Sequence, residues 1–74
     1  MPNELDARTQ AIFAFIREHI ARHGYPPTLR EIGDGCFIAH TTVLRHLDWL
    51  EGKGWITRQL NIPRSITLGP NAPK

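Results

Sequence analysis

Residues 28–50, TLREIGDGCFIAHTTVLRHLDWL, hold two short helical patterns around a tight break, and few folds accommodate that spacing. The second pattern sets Val43, Leu47 and Leu50 at i, i+4 and i+7, one apolar stripe that has to be buried. Ile38 closes the break just before it. At 100° per residue, burying the stripe turns Thr41, Leu44, Arg45 and Asp48 outward, with His40 and Thr42 near the helix start. A helix-turn-helix carries its base contacts on such a face, so the pattern points to duplex DNA rather than to an enzyme site.

A chain of 74 residues is too short for two hydrophobic cores and is expected to be one domain. Its 41% apolar and 22% charged residues suit a small globular core rather than a disordered segment. The formal charge of +2 is a mild bias toward polyanions, and its distribution says more. From Lys53 onward the charged side chains are Lys53, Arg58, Arg64 and Lys74, whereas Glu4, Asp6 and Glu18 lie in the first helical stretch. A single cysteine, Cys36, cannot form an internal disulfide and fits a reducing compartment. No stretch reaches the apolar length of a membrane span, and MPNELDAR carries acids where a secretion signal carries basic and apolar residues. A cytoplasmic location is expected.

The recurrence of Ile12, Phe13, Ile16 and Ile20 predicts a first helix over 5–24, with Asp6 as its N-cap and Gly24 as its stop. Tyr25-Pro26-Pro27 then makes a rigid corner, because proline lacks an amide donor and pushes its predecessor toward extended geometry. Thr28 and Glu31 form a T-x-x-E capping box opening a second helix through about Cys36, with Leu29 and Ile32 turned inward. Gly33 and Gly35 each weaken that helix by roughly 1 kcal/mol relative to alanine, and close approach of the third helix would explain them. The break at 37–40 lacks the glycine that usually takes a left-handed turn position, and Ala39 stands where a capping serine is expected. A third helix over 40–53 should end at Gly54. Beyond it, 55–58 and 65–68 are rich in β-branched and aromatic residues and should pair as a hairpin around 59–64. Residues 69–74 lack apolar content to anchor them and are expected to be disordered. The expected class is mainly α with a small β-hairpin, a three-helix winged helix-turn-helix over 1–68.

Each candidate contact has a functional and a plainer reading. Arg45 can span O6 and N7 of a guanine, a contact worth about 1–3 kcal/mol of discrimination, or can pair on the surface with Asp48 or Trp49. Leu44 can meet a thymine methyl or be an ordinary exposed leucine. Thr41 and Thr42 sit at the positive helix start, where they can bind phosphate or replace the missing cap. His40 can reach a phosphate or a base, or be a turn residue without a role. Arg58 and Arg64 flank the wing as candidates for phosphate or minor-groove contact, against the alternative of keeping an exposed hairpin soluble. Lys53 can touch phosphate or complement the helix dipole. Trp49 and Trp55 read as core packing.

His19 with His23, or Cys36 with His40, are too few converging ligands for a stable zinc site, so no metal is expected. Without a glycine-rich phosphate loop, a nucleophile beside a base or room for a pocket, neither enzyme nor cofactor nor small-molecule chemistry is expected. The rival reading is a winged helix that meets a partner protein with the face of its third helix and Trp49.

The run FIREHIARHGYPPTLREIG, then TTVLRHLDWLEGKGWI, then PRSITL, closely resembles the N-terminal DNA-binding domain of the LexA repressors over about 5–68. Its most specific part is HGYPPTLREIG. The resemblance implies a prokaryotic or phage repressor on double-stranded DNA, with the third helix in the major groove and the wing on the backbone. His40, Thr41, Thr42, Leu44 and Arg45 differ from the reading set expected of those repressors, which implies a different operator. The self-cleaving serine-lysine peptidase domain of LexA has no counterpart in this sequence, so neither autoproteolysis nor that domain's dimer contacts carry over. A homodimer on an inverted-repeat operator is still expected, because one helix and one wing offer few base contacts.

Overall fold

The computed structural model describes residues 4–59 and 61–73. Three helices, α1 (Glu4–His23), α2 (Leu29–Cys36) and α3 (His40–Gly52), precede two short strands, β1 (Ile56–Thr57) and β2 (Thr67–Leu68). The strands pair antiparallel, Ile56 opposite Leu68 and Thr57 opposite Thr67. Helix order and hairpin together make a winged helix-turn-helix. The strands are shorter than the expected 55–58 and 65–68, and Lys74, counted among the basic residues, lies outside the described residues.

The core forms where the three helical stripes meet. Ile12, Phe13 and Ile16 of α1, Ile32 of α2 and Val43, Leu47 and Leu50 of α3 are all buried, joined by Ile56 and Ile66 from the hairpin. Each such side chain contributes about 1.5–3 kcal/mol by leaving water. Trp55 is half-buried and meets Phe13 edge-on, ring centroids 5.1 Å apart, so the hairpin is fastened to α1 as well as to α3. Trp49 does not join this core. It is 38% exposed and its ring faces the Lys53 ammonium, because its position on α3 falls outside the buried stripe.

The helix ends follow local chemistry. Because α1 begins at Glu4, Asp6 lies inside its first turn and is not the N-cap. Gly24 ends α1 in a left-handed conformation, φ 79°, with its N–H donating to the Ile20 carbonyl at 2.8 Å. In α2 the Thr28 Oγ1 accepts from the Glu31 N–H at 3.1 Å while Glu31 Oε1 accepts from the Thr28 N–H at 2.8 Å, the reciprocal capping box. With no glycine in the break, Phe37 itself takes the left-handed position, φ 58°, at a cost of about 1–2 kcal/mol, and its ring is 95% exposed. Ala39 stands at the N-cap of α3 without a side-chain bond.

The glycines of α2 have different neighbours. A Cβ on Gly33 would lie 2.9 Å from the Ile38 carbonyl oxygen and 3.7 Å from Val43, so this glycine lets the turn and α3 close in as expected. A Cβ on Gly35 would instead enter the Phe15 ring of α1. The expected approach of α3 therefore accounts for Gly33 alone.

Residues 69–73, expected to be unanchored, are tied back onto the body. Gly69 N–H donates to the Trp55 carbonyl at 2.7 Å and Asn71 N–H to the Gly54 carbonyl at 2.9 Å. Ala72 packs on the core, and Arg17 donates to the Pro73 carbonyl at 3.3 Å. Backbone hydrogen bonds replace the apolar anchor that the composition lacks.

His46 is buried at 1% exposure, one position before Leu47, and shares a 2.7 Å hydrogen bond with Thr9 of α1. Burial pushes its pKa below the ordinary 6.5, and the charges of Arg8 and Arg45 push it the same way. The folded imidazole is held neutral, so its contribution to stability is complete above about pH 6.5 and is lost as pH falls below it, where the unfolded chain takes up the proton first. Urea unfolding of the wild type and of His46→Gln tests this. The stability difference between them should shrink from pH 7.5 to pH 5, and a difference independent of pH would contradict the buried neutral ring.

Candidate nucleic-acid interface

With its stripe buried, α3 leaves His40, Thr41, Arg45 and Asp48 exposed, while Thr42 and Leu44 are half-buried. Among the described residues Arg45 has no hydrogen-bond or ion-pair partner. Pairing with Asp48, the plainer reading, does not occur. That carboxylate is held by Arg58, whose guanidinium also donates through Nε to Glu51 at 3.2 Å. Leu44 is not displayed as a free surface leucine but turns toward a cleft of about 570 Å³ between α2, α3 and the wing. Leu29, Arg30 and His40 line its helical side, and Asn61, Ile62 and Pro63 line its wing side.

Both wing arginines, the candidates for phosphate or minor-groove contact, are engaged by carboxylates of the body. The Arg58 side chain is only 9% exposed beneath its two carboxylates. Arg64 makes a two-pronged pair with Glu31, Nη1 to Oε1 at 2.8 Å and Nη2 to Oε2 at 3.1 Å, and donates to the Pro26 carbonyl at 3.1 Å. Its guanidinium also lies 4.7 Å over the Tyr25 ring. Planar forks of this kind match carboxylates well, which is why an arginine can fasten the wing to the corner before α2. Lys53 is likewise engaged, its ammonium 4.3 Å from the Trp49 ring and 4.9 Å from the Trp55 ring.

The base of the wing is closed by Ser65, whose hydroxyl accepts from the Gln59 N–H at 3.0 Å and donates to the Gln59 carbonyl at 2.9 Å. Left-handed conformations at Asn61, φ 65°, and Arg64, φ 57°, bend the backbone between. On the other side of the clamp His19 Nδ1 donates to the Tyr25 carbonyl at 2.9 Å, and the rings of His19 and His23 lie 4.4 Å apart. These histidines brace the corner. Among the described residues no group of three or more His, Cys, Asp or Glu is placed to hold a metal ion.

Arg30 was not anticipated from the sequence. It is exposed on the outer side of α2 and, among the described residues, has no hydrogen-bond or ion-pair partner. Its spacing held the signal, since Leu29 and Ile32 turn inward and leave Arg30 outward, beside the cleft.

The LexA DNA binding domain family model matches residues 2–65. Among similar proteins are the LexA repressor of Geotalea uraniireducens, 52% identical over 66 residues, and LexA repressor 1 of Geobacter sulfurreducens, 48% identical over 66 residues. Each alignment covers 88% of this chain and 33% of the relative. The LexA repressor of a Roseiflexus species is 42% identical over 72 residues, covering 96% of this chain and 33% of that protein. The chain thus spans about a third of the length of these curated relatives.

The Arg64 pair, together with the Thr28 N–H, holds the Glu31 carboxyl at about 2, well under its ordinary 4.5. A depressed carboxylate stabilises the folded state fully above pH 4.5, and that contribution is lost as pH falls toward 2. Amide protection factors at residues 61, 62, 64 and 65, taken relative to the intrinsic exchange rate at each pH, should therefore fall across this window in the wild type. In Glu31→Gln they should already be low at pH 5, and equal protection in the two proteins would show that the wing is held by something else.

Proposed function

The chain belongs to the LexA DNA-binding domain family, and on that premise we propose that it is a sequence-specific repressor that reads the major groove of duplex DNA with α3. Arg45 is the base-reading residue, reaching a guanine edge, with Thr41, Thr42 and His40 on bases or phosphates at the start of α3. The first turn supports this, since Ala39 offers no side-chain cap and the His40 and Thr41 amides are open to a phosphate oxygen, while Thr42 N–H donates to the Ala39 carbonyl. Leu44, beside them, meets sugar or a thymine methyl from the wall of the cleft.

The observation that carries the reading is electrostatic. Arg45 stands unpaired on α3, while the carboxylates that would repel a phosphate backbone on this side, Asp48, Glu51 and Glu31, are engaged by Arg58 and Arg64. The wing arginines thus act in DNA binding by positioning the wing and cancelling acidic charge. Lys53 does the same for the end of α3, its contact with the tryptophans fixing where the helix meets the hairpin. A pair of such domains on an inverted repeat would supply the affinity that one reading helix lacks, and occupying the operator in the cytoplasm would block transcription.

Duplexes selected from a random pool by the wild-type protein test the assignment. Binding should weaken steeply with salt, as ionic contacts to phosphate do. Arg45→Ala should lose about 1–3 kcal/mol on the selected duplex and little on an unrelated one. Equal losses on both, or none on either, would remove Arg45 from base reading.

A further inference from the structure

The proposed function makes no use of the outer face of α1. A cleft of about 610 Å³ lies there, between α1 and the turn after α2, and Ala11, Phe15 and Phe37 supply much of its carbon. Arg8 and Glu18 line the same cleft. At 100° per residue positions 8, 11, 15 and 18 share one side of α1, with the two charges at its ends, about 15 Å apart along the axis. The Phe37 ring stands 95% exposed beside this face, at a left-handed position, φ 58°, that glycine would take without strain. An aromatic ring left in water next to an apolar cleft marks an interaction surface.

The charges say what fits it, because the face is complementary to itself. Two α1 helices set antiparallel about a two-fold axis level with residue 13 bring Arg8 of each copy to Glu18 of the other, and Ala11 to Phe15, small against large. A parallel pairing would set like charges together. Glu18 is held by Arg22 at 3.0 Å, an exposed i,i+4 pair that gives way at little cost.

We infer that a second copy of this chain docks on the α1 face in an isologous pair, each Phe37 ring entering the other copy's cleft and two Arg8–Glu18 pairs fixing the antiparallel register. The contact uses none of the base-reading residues proposed on α3 and forms without DNA. One helix face and one aromatic from each side make a small interface, so the pair is weak and fills at high protein concentration.

Sedimentation equilibrium at low salt, from about 10 μM to 1 mM protein, tests this. The weight-average mass of the wild type should climb from that of one chain toward that of two. Phe37→Gly should stay at one chain throughout, and since glycine suits the left-handed position, its urea unfolding should show an intact fold. Arg8→Glu leaves two acids on the face and Glu18→Arg two bases, so each alone should stay at one chain. An equimolar mixture of the two restores both opposite-charge pairs and should associate at least as strongly as the wild type. A wild type that remains one chain at 1 mM, a Phe37→Gly that associates like the wild type, or a mixture no heavier than its components would each overturn the inference. No DNA enters these measurements, so their outcome is separate from that of Arg45→Ala, which tests the proposed function.

Discussion

Val43, Leu47 and Leu50 have no exposed surface, and with them the orientation of α3 about its own axis is decided. Rotating this helix by even one residue would expose one of these side chains and bury Arg45 without a partner, which costs several kcal/mol. His46 adds a directional lock to the greasy one, since its hydrogen bond to Thr9 exists in one rotation only. The outward display of His40, Thr41 and Arg45 is therefore a consequence of burial on the opposite side, reached before any DNA is present.

Glu31 performs the corresponding service for the wing. One carboxylate closes the capping box that starts α2 and receives both prongs of Arg64, so the same group sets where α2 begins and where the hairpin lies. The Tyr25-Pro26 corner completes the socket with a ring face and a carbonyl. A two-residue strand pair is too short to be stable alone, and this clamp, with the packing of Trp55 on Phe13, gives the wing a fixed place beside α3.

How far the sequence could be read depended on the range of the interaction. The α3 stripe, the Thr28–Glu31 box, the Gly24 stop and the hairpin all arise from residues a few positions apart, and helical or strand periodicity displays them directly. Asp6 failed because helix starts fray into their neighbours, and the capping signal is weaker than the drive to extend a turn. Arg58 and Arg64 read as free wing cations because their acceptors are remote. Glu31 is 33 positions from Arg64, and nothing local announces that the fold will join them. The same distance hid the Thr9–His46 bond and the docking of residues 69–73 on the backbone of residues 54 and 55. Arg30 was legible from spacing but stood in the shadow of the capping box on either side of it.

Burial of the α3 stripe and clamping of the wing fix one face of the molecule before any ligand is present. Titrating a selected duplex into isotopically labelled protein and following backbone amide shifts tests it most directly. The largest shifts are expected at residues 40–45 and at the wing residues 61 and 62, with Ala14, Arg17 and Glu18 on the exposed side of α1 unchanged. Shifts centred on α1 and the exposed Phe37, with α3 silent, would contradict it.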